Sequence, residues 1–310
     1  MEYNNPKPPF DPETPWKSIR ENTNLEIAFF GFVWFICVII GTLLSQSLAS
    51  FAGIHDFSAL IEGFKEGYFL EHINTLKIVS ICSHLCQYLL PVLLFTYFLY
   101  RKRSLNSLYA DRLPRASNII LSITLIITIF PFISFVYYWN TILLPKSAIS
   151  EDTLFIQNLF LDMKTTTDLF LNLLLLGLVA GIGEEFLFRG VLQRIVTKMS
   201  GNIHKGAILT GFAFSAMHFQ LEGLLPRFIL GVLFCYLLIY TGNLWITVIV
   251  HIIFNSSQVL MPYFYPSLVG NVNQVQEISP FIALGSLLVF VGIFFIFIKN
   301  NSENNYIKIE

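Results

Sequence analysis

Three short patterns carry groups able to do chemistry: Glu184-Glu185-x-x-x-Arg189, Phe214-x-x-x-His218 and His251-x-x-x-Asn255, each inside an apolar segment of helix length. An ionisable side chain in hydrocarbon costs about 2.5–3.5 kcal/mol on insertion scales, so two glutamates, an arginine and two histidines there mark a functional site. A carboxylate with an imidazole can activate water as a general base. Imidazole and carboxamide N–H groups can stabilise the oxyanion that forms when water attacks a carbonyl.

Helical geometry divides these residues by role. Glu184 and Glu185 are consecutive and point about 100° apart, so they cannot share one task. Arg189 follows Glu185 by four residues, the favourable order for a side-chain pair along a helix. Glu185 and Arg189 are therefore expected as a structural strut. Glu184, without a partner on its own helix, is the expected working carboxylate. Phe214 and His218 share one face of their helix, as do His251 and Asn255 of theirs, the latter presenting two donors toward a common point. The chain turns back at Ser200-Gly201-Asn202, with Glu184 18 residues before Asn202 and His218 16 after it. At the helical rise their depths differ by only about 3 Å. The other histidines belong to no such pattern. His55 and His72 read as loop residues, His204 opens a helix, and His84 reads as structural.

The elements that must position these groups are membrane helices. Hydrophobic residues make up 55% of the chain and charged ones 13%, too few to cover a water-soluble domain. Net charge is −1 with no long basic block, so nucleic acid is not an expected partner. Cys37, Cys82, Cys86 and Cys235 lie in apolar runs and form no CxxC pair, so they read as core thiols. A bilayer core is crossed by roughly 20 apolar residues. Eight segments qualify or come close: Ile27–Ala49, Ile78–Tyr100, Asn118–Trp139, Leu169–Val191, Gly206–Phe219, Phe228–Tyr240, Leu244–Tyr263 and Pro280–Ile298. The expected fold is all-α, a polytopic integral membrane protein of about eight helices enclosing an intramembrane site. Pro91 and Pro131 predict kinks. Ser150–Lys164 reads equally as an interfacial helix or a loop.

With both termini in the cytoplasm, thirteen basic residues fall on the inner side and five on the outer, the asymmetry expected of that orientation. The first span then acts as an uncleaved signal anchor, since the polar, proline-containing residues before it resemble no cleavable leader. The chain divides into a polar cytoplasmic tail (1–26), three membrane helices with their loops (27–166), a four-helix catalytic unit (167–263), and a final external loop, helix and tail (264–310).

The ordered set EExxxR, FxxxH and HxxxN on consecutive hydrophobic segments resembles the CPBP family of intramembrane proteases. That family includes type II CAAX prenyl endopeptidases and bacterial bacteriocin-processing and self-immunity proteins. The resemblance covers Leu169 to Pro262. It implies a peptide-bond hydrolase in a membrane, here expected to be the bacterial inner membrane, acting on a membrane-associated or lipidated protein or peptide. Glu184, His218, His251 and Asn255 are its implied working residues, with Glu185, Arg189 and Phe214 in support. No HExxH occurs, and no aspartate lies within a span, so the zincin and aspartyl arrangements are absent. Neither Ser215 nor Ser256 sits in a nucleophile turn.

Two forms of mechanism stay open. In one, Glu184, His218 and His251 ligate a divalent ion, zinc above all, and leave a position for water. In the other no metal takes part: Glu184 and His218 polarise the water, and His251 with Asn255 stabilises the oxyanion. Two readings of another class also remain, a catalytically silent immunity or scaffold protein of the same fold and a proton-coupled transporter.

Overall fold

The computed structural model describes residues 14–55, 62–66, 72–101, 104–149, 151–265 and 277–302. Most of the expected N-terminal tail, the centre of the external loop at 266–276 and the last residues of the C-terminal tail lie outside them. Among the described residues the protein is helical with no strand, and seven helices are long and apolar enough to cross a membrane.

A short helix α1 (Thr14–Glu21) leads into α2 (Thr23–Phe51), which Asn22 caps by accepting from the backbone N–H groups of Asn24 and Leu25. Next come α3 (Ile73–Tyr100), α4 (Ala116–Leu143) and α5 (Glu151–Leu161). The segment that pattern alone left between helix and loop is thus a helix. It packs Phe155, Ile156, Leu159 and Phe160 against Ile54, Phe64 and Leu76.

The centre is α6 (Thr166–Ser200), begun by a reciprocal Thr165–Asp168 capping box and ended by Gly201 in the left-handed conformation. Asn202 caps α7 (Ile203–Ala216), which returns beside α6; α8 (Leu224–Thr241), α9 (Leu244–Phe264) and α10 (Pro280–Asn300) complete the bundle. α6 and α8 are the most enclosed spans, each 56% buried over its most apolar stretch, whereas α2 and α3 reach 17% and α10 only 11%. The outer helices therefore show large apolar side chains to lipid, Phe32, Phe35, Leu288 and Phe295 among them. Small residues allow the close inner crossings: a Cβ on Gly211 would lie 2.8 Å from the backbone nitrogen of Val232, so only glycine lets α7 and α8 approach this far.

One expectation needs revision. The Gly206–Phe219 segment, counted as a span, is a helix of 14 residues, about 21 Å long and too short to cross a bilayer core alone. The proline at 131 lies inside α4 without ending it, and Pro91 falls where α-helical geometry resumes after a π-helical turn, Leu85–Leu89, within α3. At that position the missing N–H of proline costs least.

Candidate functional site

Glu184 and Glu185 close a short α-helical stretch of α6, Ala180–Glu185, with π-helical turns on both sides at Leu173–Val179 and Phe186–Leu192. Such turns are rare, and where they occur they concentrate at functional sites. Glu185, Arg189 and His251 are buried, and so is Glu184.

Glu185 and Arg189 form the expected pair, Nη1 to Oε1 at 2.8 Å, both side chains being fully buried. Arg189 also donates to the Gly231 carbonyl and places its guanidinium carbon 4.5 Å from the centre of the Phe214 ring and 5.2 Å from that of Phe234. Glu185 does more than the sequence suggested: its Oε1 accepts a 2.7 Å hydrogen bond from His251 Nδ1. The strut thus also orients a histidine.

Glu184 is not isolated. His218 Nε2 and His251 Nε2 each lie 3.9 Å from its Oε2, and His84 Nε2 lies 3.8 Å from its Oε1. The structure therefore brings Glu184, His218 and His251 together as sequence spacing implied, and adds His84, which that reading left outside the site. His84 stacks on Tyr88 with ring centres 4.1 Å apart. Gly183 makes room for both, since a Cβ there would lie 3.0 Å from Tyr88 Cβ and 3.4 Å from His84 Nε2.

Hydrogen bonding fixes two of the three rings. His218 lies just past the end of α7, where Phe219 takes a positive φ of 53°, and its Nδ1 meets the Phe214 carbonyl at 2.9 Å. Carbonyl and carboxylate oxygens only accept, so Nδ1 carries the proton in both His218 and His251. Their Nε2 atoms, when the rings are neutral, aim lone pairs at the Glu184 carboxylate. Phe214 stands edge-on to both imidazoles, at 5.2 and 5.9 Å. Asn255 is used differently from the expected two-donor cradle: its Nδ2 donates to the Leu176 carbonyl at 2.9 Å, inside the first π turn. One carboxamide hydrogen is committed there.

Glu184 Oε2 and His84 Nε2 are buried without a hydrogen-bond partner among the described residues. Separations of 3.8–3.9 Å are too long for a direct hydrogen bond and suit one bridging water. By residue type the cluster also suits a divalent ion. Ligands about 2.0 Å from a tetrahedral zinc stand about 3.3 Å apart, so the ring would have to close by about 0.6 Å to hold one. No group of three or more His, Cys, Asp or Glu side chains among the described residues has the placement to hold a metal ion.

Residues 166–257 match the model of a family described as type II CAAX prenyl endopeptidase Rce1-like. A 120-residue stretch is 31% identical to an Escherichia coli protein named only as an uncharacterized 24.3 kDa protein, covering 37% of this chain and 55% of that one. The chain thus spans about half the length of this curated relative. No solved structure matches.

Proposed function

We propose that this chain, whose residues 166–257 match the type II CAAX prenyl endopeptidase Rce1-like family, is an intramembrane endopeptidase that hydrolyses a peptide bond of a membrane-associated or lipidated protein or peptide. The observation that carries the reading is the buried Glu184 carboxylate ringed by three imidazole nitrogens at water-bridging distance. A silent scaffold has no need of such a cage.

Water held between Glu184 Oε2 and the Nε2 atoms of His218 and His251 loses a proton to Glu184 as its oxygen attacks the scissile carbonyl carbon. The negative charge on the carbonyl oxygen is met by the Asn255 carboxamide and by the His251 ring, which the Glu185–Arg189 pair holds in place. Collapse breaks the C–N bond, and the proton taken from water passes from Glu184, by way of His218, to the leaving amine. The products are a carboxylate and a new amino terminus. His84 stands on the other oxygen of Glu184, Oε1, where a bridging water would tie the two and leave Oε2 to the reacting water. None of these steps passes through a metal, since the donors stand wider apart than the ligands of a tetrahedral zinc.

Cytoplasmic termini in a bacterial inner membrane, which the basic asymmetry favours, require α7 to count as a crossing beside the seven longer helices, since seven crossings alone would leave the termini on opposite sides. The testing experiment is mass spectrometry of membrane peptides from cells carrying wild-type protein or Glu184→Gln. A cleavage product present only with the wild type is expected; identical peptide sets at equal protein abundance would remove the enzymatic reading.

A further inference from the structure

Away from the site, a cavity of about 110 Å³ opens between the N-terminus of α4 and the turn joining α8 to α9, lined by Arg112, Leu113, Arg115, Asn118, Thr241, Gly242 and Asn243. α4 is 28 residues long, about 42 Å, so its end projects beyond a hydrocarbon core of about 30 Å to the level of lipid phosphates.

The two neighbouring helix starts are treated differently. Asn243 caps α9, accepting from Trp245 N, and its Nδ2 anchors the Arg112 carbonyl at 2.9 Å. At α4 the cap residue is Arg115, and no side chain caps the helix. The N–H groups of Ala116 and Ser117 and the positive end of the helix dipole lie beside the cavity that Arg115 and Asn118 line, while the Asn118 N–H is bonded to the Arg115 carbonyl. Asn118, 4% exposed, has its Oδ1 taken by donors from both Asn300 and Asn301, while its Nδ2 has no partner among the described residues. Arg112 is paired only loosely, at 3.6 Å, with Asp111 on the rim. Arg115 makes no ion pair with a described residue. The amide of the buried Asn118, two arginines and an uncapped helix start thus line one cavity, with Asp111 the acidic group paired to Arg112.

We propose that this cavity binds the phosphate of an anionic phospholipid. The shared chemistry is that of any phosphate, and apolar surface decides for lipid: Leu113, between the two arginines, is 91% exposed, and Ile120 on the next turn of α4 is 64% exposed. Both lie where the glycerol and upper acyl chain of a bound lipid would run.

Native mass spectrometry of the detergent-purified full chain tests this, with phosphatidylglycerol, phosphatidylcholine or inorganic phosphate added, for wild type, Arg112→Gln/Arg115→Gln, and Lys146→Gln as a control at the opposite end of α4. Wild type and control should retain phosphatidylglycerol, and the double variant should retain it about tenfold less, with phosphatidylcholine unchanged. Asn118→Asp, which turns the donor into a repelling carboxylate, should give the same loss while Arg112 and Arg115 stay in place. Equal retention of both lipids by wild type, or no loss in any variant, overturns the proposal. Displacement by millimolar inorganic phosphate, with phosphate itself retained in the absence of lipid, assigns the cavity to the free ion and overturns the lipid assignment.

Discussion

Glu185 Oε1 lies 2.7 Å from His251 Nδ1 and 2.8 Å from Arg189 Nη1, so one carboxylate oxygen ties an ion pair on α6 to a histidine on α9. The adjacent glutamates are thus two layers of one site, Glu184 facing the reacting water and Glu185 standing behind the ring that faces it.

The two should fail in different ways. Glu184→Gln keeps size and burial, and its rate of peptide cleavage should fall roughly 10²–10⁴-fold with folded protein little changed. Glu185→Gln should destabilise the fold by about 3–5 kcal/mol, as removal of one partner of a buried pair does, and also lower the rate by loosening His251. Cleavage rate against detergent-resistant folded fraction separates the cases. A fast Glu184→Gln enzyme beside a well-folded but inactive Glu185→Gln one would reverse the assignment.

His84 gives the sharpest test of what the three-dimensional arrangement adds. His84→Phe preserves the stack on Tyr88 and removes the nitrogen facing Glu184, so turnover should drop about 10–100-fold, the scale of losing an orienting partner. KM and protein abundance should stay near wild type. His204→Gln, at an exposed position whose ring meets the half-buried Tyr236, serves as the control and should retain full turnover. Equal turnover of the two variants would place His84 outside the reaction.

Metal dependence follows from the spacing. Purified protein should contain much less than one equivalent of zinc and keep its activity after prolonged chelation, while Asn255→Ala should slow cleavage roughly 10²–10³-fold. One zinc per chain by elemental analysis, lost together with activity in His251→Ala, would sink the metal-free mechanism.

Gly181 sets how closely α6 and α9 approach. A Cβ there would lie 2.6 Å from Ile252 Cγ1 and 3.1 Å from its backbone nitrogen, beside His251. Gly181→Val should therefore force the helices apart, costing about 1–3 kcal/mol by overpacking and reducing cleavage at least tenfold. Gly285→Val on lipid-facing α10, where a Cβ meets nothing within 4 Å, should be neutral in the same cleavage and thermal-stability assays.

Much of this was legible in the sequence because charge is so sparse. The Glu185–Arg189 pair follows from four-residue spacing, and the meeting of Glu184 with His218 follows from equal depth in a tight hairpin. His84 was not legible by motif, since it lies on α3, distant in sequence from the three patterns. The cost of an imidazole in mid-span was the available signal. The second role of Glu185 was hidden for a related reason: the helix spacing that identifies Arg189 says nothing about which ring on α9 reaches the same oxygen. The commitment of Asn255 to Leu176 depends on a backbone carbonyl in a π turn, and runs of leucine look the same in α and π geometry. The short α7 was misjudged because an apolar segment enclosed by protein has the composition of one enclosed by lipid.

The π turns on either side of Glu184 and Glu185 also change how this segment would tolerate gain or loss of residues. A π turn is an α-helix holding one residue more than its hydrogen bonding needs, so deleting one residue from Leu173–Val179 could restore an unbroken ladder with few bonds lost. It would also turn everything beyond it by about 100° relative to what precedes it. Either Glu184 would leave the histidines or Thr165 and its capping box would leave their place at the start of α6. Along Leu173–Val179 the number of residues, and not only their identity, keeps the carboxylate facing the three rings.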